Sequence, residues 1–175
     1  MSRSQLVLRA LMAVASLVFL GLTVAESPHP IIVVAIGIAA LTAYAAVEPD
    51  SPLVTVLLAA QALHWAAGVP VPTTTGQWVA LLGAAWSGLV LHLAASLAAS
   101  LPGPSAIPTV SLRRWARRGA IVAAATVPVW AVAFLAGRES APGQVSLTYG
   151  AIAAVALLAF GTWLLGREDR PDRRH

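Results

Sequence analysis

The sequence predicts an all-α, polytopic integral membrane protein: a bundle of six transmembrane helices forming a single transmembrane domain over residues 1–175. Three observations lead there. The chain is 58% hydrophobic and 10% charged, with a mean hydropathy of +0.80, outside the range of water-soluble globular proteins. Six apolar stretches of membrane-crossing length are separated by short polar or proline-rich breaks. The eleven basic residues, all Arg, fall almost wholly on one side if every stretch crosses the bilayer.

A helix rising about 1.5 Å per residue needs roughly 17 to 25 residues to cross a hydrocarbon core about 30 Å thick. Span one, 6–25, meets that length and is closed by Glu26, Pro28 and Pro30, since proline cannot continue a helix. Span two, 31–47, ends at Glu48-Pro49-Asp50-Ser51-Pro52, and span three, 53–69, ends at Pro70 and Pro72. Span four covers 78–100. A basic cytoplasmic loop, 101–118, begins proline-rich and continues through Ser111-Leu112-Arg113-Arg114-Trp115-Ala116-Arg117-Arg118, which reads as a short amphipathic helix capped by Ser111. Span five covers 119–137, a polar connection runs from Arg138 to Gln144, span six covers 145–166, and 167–175 is a basic cytoplasmic tail. Because hydrophobicity is continuous along each stretch rather than alternating, helices are expected and not a β-barrel.

Orientation follows from the arginines. Arg3, Arg9, the quartet Arg113, Arg114, Arg117 and Arg118, and the tail residues Arg167, Arg170, Arg173 and Arg174 share a side, with Arg138 opposite. By the positive-inside rule both termini lie in the cytoplasm. Arg-only basic usage, with heavy Ala, Val, Gly and Pro, points to a high-GC bacterium and its cytoplasmic (inner) membrane. Trp78, Trp115 and Trp163 fall near the expected interfaces. Arg3 and Arg9 ahead of an apolar run, with Thr23-Val24-Ala25 after it, also fit a cleaved signal peptide; retention as a first helix is the expectation. The basic pI near 11.1 reflects these topology signals, so no nucleic-acid partner is expected.

Chemistry at membrane depth has to come from polar groups that tolerate it. The spans hold no Asp or Glu, and there is no Cys, so ion coupling through a buried carboxylate, disulfides and thiol redox chemistry lack their residues. Arg9, near the start of span one, is expected to snorkel to the surface without a partner. His64 and His92 are the remaining ionisable groups at depth. Helical spacing sets Gln61 and His64 on one face of span three and Gly88, His92 and Ser96 on one face of span four, which predicts that both stripes face other helices. Neutral imidazoles suit haem or a metal ion, but the two rings are axially offset by about 7 Å at 1.5 Å per residue, so packing or hydrogen bonding is expected and no cofactor.

Pro128 removes the donor for the carbonyl of Ala124 and predicts a kink in span five, with Trp130 filling the wedge. Ala84 with Gly88, and Gly150 with Ala154, allow close helix contact. No repeat relates spans one to three to spans four to six.

These features lead to a non-enzymatic accessory or scaffold subunit of a larger bacterial membrane assembly. Its partners are the lipid bilayer and either other membrane subunits or further copies of itself. Arg113, Arg114, Trp115, Arg117 and Arg118 are the candidate lipid or partner contact. The alternative is a small oligomeric transporter or channel with a pathway lined by Gln61, His64, Ser87, His92 and Ser96. A haem- or metal-binding redox protein using His64 and His92 is a distant third, since catalysis needs a convergent set of groups.

Overall fold

The computed structural model describes residues 3–100 and 109–137, and all regular structure among them is helical. Five helices run α1 (Arg3–Glu26), α2 (Ile32–Val47), α3 (Leu53–Gly68), α4 (Thr75–Ala99) and α5 (Thr109–Ala136). Residues 101–108, span six, the 138–144 connection and the tail lie outside the described residues. Two compact units divide the chain, Met1–Gly119 and Ala120–His175.

The breaks fall where the sequence places proline. Pro28 and Pro30 separate α1 from α2, Pro49 and Pro52 separate α2 from α3, and Pro70 and Pro72 precede α4. At the start of α4, Thr74 and Gln77 form a reciprocal capping box: the Thr74 hydroxyl accepts from the Gln77 amide at 3.3 Å and Gln77 Oε1 accepts from the Thr74 amide at 3.1 Å. This moves the start of α4 to Thr75, three residues before the expected span.

The larger difference is α5. Its first residue is Thr109, so the short amphipathic helix expected over 111–118 is continuous with span five rather than a separate piece of the connection, and Ser111 lies inside the helix rather than capping it. Arg, Leu and Ala are good helix formers, and nothing between Val110 and Arg118 breaks a helix. The helix also continues through Pro128.

α1, α4 and the Val110–Leu135 stretch of α5 are long and apolar enough to cross a membrane. α2 and α3 are apolar but have 16 residues each, about 24 Å of helix against a hydrocarbon core of about 30 Å.

In the first unit α1 is the central strut, packed on α2, α3 and most extensively α4, while α3 bridges α2 and α4. Met12, Ala15 and Leu20 of α1 meet Ala35, Ile38 and Ala45 of α2, Val54 and Leu57 of α3, and Leu91 with Ala94 and Ala95 of α4. α4 approaches closely because it offers glycine: a Cβ on Gly88 would stand 3.3 Å from the Phe19 ring. The same Phe19 meets Trp65 of α3 edge to face, with centroids 6.1 Å apart.

The surface is apolar as well. Val33 is 81% exposed, Leu63 70% and Val7 64%, while Gln5, Ser16, Thr23, Thr42 and Gln61 are buried. Large apolar side chains outside and polar ones inside suit a hydrocarbon surround better than water.

Candidate functional site

The polar residues inside the first unit form one directional chain. Gln61 Nε2 of α3 donates to the Ser16 carbonyl at 2.9 Å and to Ser16 Oγ at 2.7 Å. Ser16 Oγ lies 2.7 Å from Thr42 Oγ1 of α2, and Thr42 Oγ1 donates to the Ile38 carbonyl at 2.8 Å. With the Thr42 proton on that carbonyl, the Ser16 hydroxyl donates to Thr42 and accepts from Gln61, so each hydroxyl makes both its bonds. Because the Ser16 carbonyl can only accept, it also fixes which end of the Gln61 amide faces it. Three helices, α1, α2 and α3, are thereby joined at one level.

One turn beyond Gln61, His64 is 6% exposed, and its Nε2 and Gln61 Oε1 have no hydrogen-bond partner among the described residues. His92 is exposed on α4, although Gly88 of the same stripe packs on Phe19, so the expectation that this stripe faces another helix holds at Gly88 and not at His92. A shared haem or metal needs both rings directed into one space; here one ring is buried on α3 and the other turned outward on α4. Among the described residues no three His, Asp or Glu side chains gather where a metal ion could be held.

Ser87 and Ser96, the remaining candidates for a pathway, bond to their own helix: Ser87 Oγ donates to the Gly83 carbonyl and Ser96 Oγ to the His92 carbonyl, each at 2.8 Å. Of the five expected interhelical contacts, Gln61 makes one across a helix boundary. Its partners Ser16 and Thr42 were not among the expected contacts, which took their hydroxyls from span four. The findable signal was the stripe of Met12, Ala15, Ser16, Phe19 and Thr23, all buried on one side of α1.

At the end of the bundle where α1 begins, Arg9 has partners after all. Its Nη1 donates to the carbonyls of Ala46, at 3.2 Å, and Val47, closing the C-terminus of α2. A cation there meets otherwise unpaired carbonyls and the negative end of the helix dipole. Nearby, Gln5 Nε2 donates to the Ala98 carbonyl at 3.5 Å, and Leu8, Leu97 and Ala98 form a small core against which Trp115 packs. Trp115, in the second turn of α5, thus packs on side chains of α1 and α4. A Cβ on Gly119, one turn later, would lie 2.8 Å from Leu93 Cδ1.

Arg113, Arg114, Arg117 and Arg118 are all exposed, but they are not equivalent. Arg114 and Arg118 flank a groove of about 360 Å³ between the end of α4 and the start of α5; Arg113 and Arg117 lie outside it. Helical geometry explains the division, because residues four apart share a face and neighbours are turned by about 100°. Comparison of the chain with family models, curated proteins and solved structures finds no match.

Proposed function

We propose that the chain is a six-span protein of a bacterial cytoplasmic membrane, with both termini in the cytoplasm, acting as a non-enzymatic accessory or scaffold subunit of a larger assembly. The observation that supports this reading most is the Gln61–Ser16–Thr42 chain. Gln61, one of the two polar side chains on α3 that a pathway would use, is committed through its Nε2 to holding three helices together. Ser87 and Ser96 are bonded to their own helix and His92 faces outward, which favours a rigid body that acts by contact over a hydrated conduit.

The apolar exterior supports the membrane half of the proposal. Arg9 on α1 and the C-terminus of α2 meet at one end of the unit, as an antiparallel pair requires, and the positive-inside rule is what assigns that end to the cytoplasm. The α2–α3 turn, with Glu48, Asp50 and Ser51, belongs to that same end.

The test is recovery of a tagged copy from gently solubilised membranes. An accessory role predicts one or a few polypeptides in fixed stoichiometry, retained through size exclusion. A protein recovered without partners that conducts ions or solutes in reconstituted vesicles would contradict it.

A further inference from the structure

The groove between α4 and α5 joins two kinds of surface. Arg114, Arg118 and Ser111 supply two guanidinium groups and a hydroxyl on one face of α5, within its first three turns. Leu97, Val110 and Trp115 supply the apolar side, and Ser100, whose hydroxyl donates to the Leu97 carbonyl at 2.9 Å, completes the wall. Its volume of about 360 Å³ is that of a small-ligand pocket, for which about 300–1,000 Å³ is usual.

Planar guanidinium groups four residues apart on a helix can grip one tetrahedral anion from two directions, and the N-terminal turns add a favourable dipole. A free inorganic anion would leave Leu97, Val110 and Trp115 unused. A phosphodiester that carries hydrocarbon uses both halves. Trp115 is also fixed by Leu8, Leu97 and Ala98, so one wall is held in place before any ligand arrives.

We propose that this groove binds the phosphate of an anionic phospholipid, with Arg114 and Arg118 on the phosphate, Ser111 donating to it, and the glycerol and first acyl carbons against Leu97, Val110 and Trp115. This rests on the membrane reading above and adds that the quartet is divided. Arg114 and Arg118 bind a particular lipid, while Arg113 and Arg117 contribute only to the general charge of that end.

The division gives a charge-matched test. Wild type, the Arg114→Gln/Arg118→Gln pair and the Arg113→Gln/Arg117→Gln pair are placed in nanodiscs of phosphatidylcholine containing one-tenth phosphatidylglycerol. The phosphatidylglycerol kept through detergent extraction is counted by native mass spectrometry. Both variants lose the same charge. The first pair is expected to reduce retention about 25-fold, at about fivefold per arginine, and the second by less than about twofold. Arg114→Lys/Arg118→Lys, which keeps charge and helix propensity, should fall between them and serves if the Gln pair does not fold.

Equal losses in the two Gln pairs would overturn the site in favour of diffuse attraction. Inorganic phosphate at millimolar concentration displacing the lipid completely would make it a free-anion site and overturn the lipid assignment. Retention of an acidic peptide in place of phosphatidylglycerol would overturn it in favour of protein docking. If wild type is released from membranes by alkaline carbonate, the membrane reading itself fails, which is distinct from wild type staying inserted and retaining no lipid.

Discussion

Ser16 is the residue on which the interior of the first unit turns, since it accepts from Gln61 and reaches Thr42 while lying fully buried. Hydrogen bonds between helices in a membrane are worth about 0.6 kcal/mol on average and up to about 1.7. Ser16→Ala interrupts the chain at its centre and is expected to cost about 1–2 kcal/mol. In a double-mutant cycle with Gln61→Leu the coupling should be about 0.6–1.7 kcal/mol, read from unfolding in detergent mixtures. Additive losses would mean the two side chains do not act together. His64 should behave in the opposite way. Its Nε2 has no partner among the described residues, so His64→Leu removes an unsatisfied buried nitrogen and should change stability by less than about 1 kcal/mol or raise it. Loss of a bound metal or an absorption band in that variant would instead reveal a ligand role. At Gly88 the limit is steric: Gly88→Val crowds the Phe19 ring and should cost about 1–3 kcal/mol, measured the same way.

Helices α1 to α4 were legible as elements because continuous apolar runs stop at prolines, a signal that survives any detail of packing. At α5 the helical character of 111–118 was legible, but its continuity was not: the expected short helix with its own cap at Ser111 starts at Thr109 and runs unbroken into the apolar stretch, with Trp115 against Leu8, Leu97 and Ala98. The facing of side chains was legible on α3, where Gln61 and His64 share the buried side, and on α4 it held at Gly88 but not at His92. In so Ala-rich a helix, stripes of small residues occur on every face, so the one through His92 fixed no direction for that side chain. Hydroxyls were hard to place for a related reason. Thr23, Thr42, Ser87 and Ser96 all donate to the carbonyl four residues back, and of these Thr42 also reaches another helix. At this scale Arg9→Gln tests how α1 holds α2. It withdraws a cation from the carbonyls of Ala46 and Val47 and should cost about 1 kcal/mol, with faster hydrogen exchange at the last turn of α2. Unchanged exchange would mean that Arg9 only follows the surface.

At the scale of the molecule, the account rests on the first unit: an apolar exterior, an interior joined by polar bonds, and Arg9 with the Arg113, Arg114, Arg117 and Arg118 quartet toward the end where α1 begins. On the six-span reading proposed above, the two 16-residue helices require adjustment, because about 24 Å of helix would have to cross about 30 Å of hydrocarbon. Local thinning of the bilayer around α2 and α3 is the expected response, and thermal stability in phosphatidylcholine bilayers of graded chain length should peak at shorter chains than a uniform 30 Å span prefers. A peak in thicker bilayers would place these helices elsewhere than across the membrane. Orientation is the most direct measurement of the central claim, and the absence of native cysteine makes it clean. Val71, exposed in the α3–α4 connection and outside the Thr74–Gln77 capping box, and Asp50, exposed in the α2–α3 turn, are each replaced by Cys and treated in intact cells with an impermeant thiol reagent. The account predicts labelling of Val71→Cys in intact cells and of Asp50→Cys only after the membrane is opened; the reverse pattern, or equal labelling of both in intact cells, would contradict it.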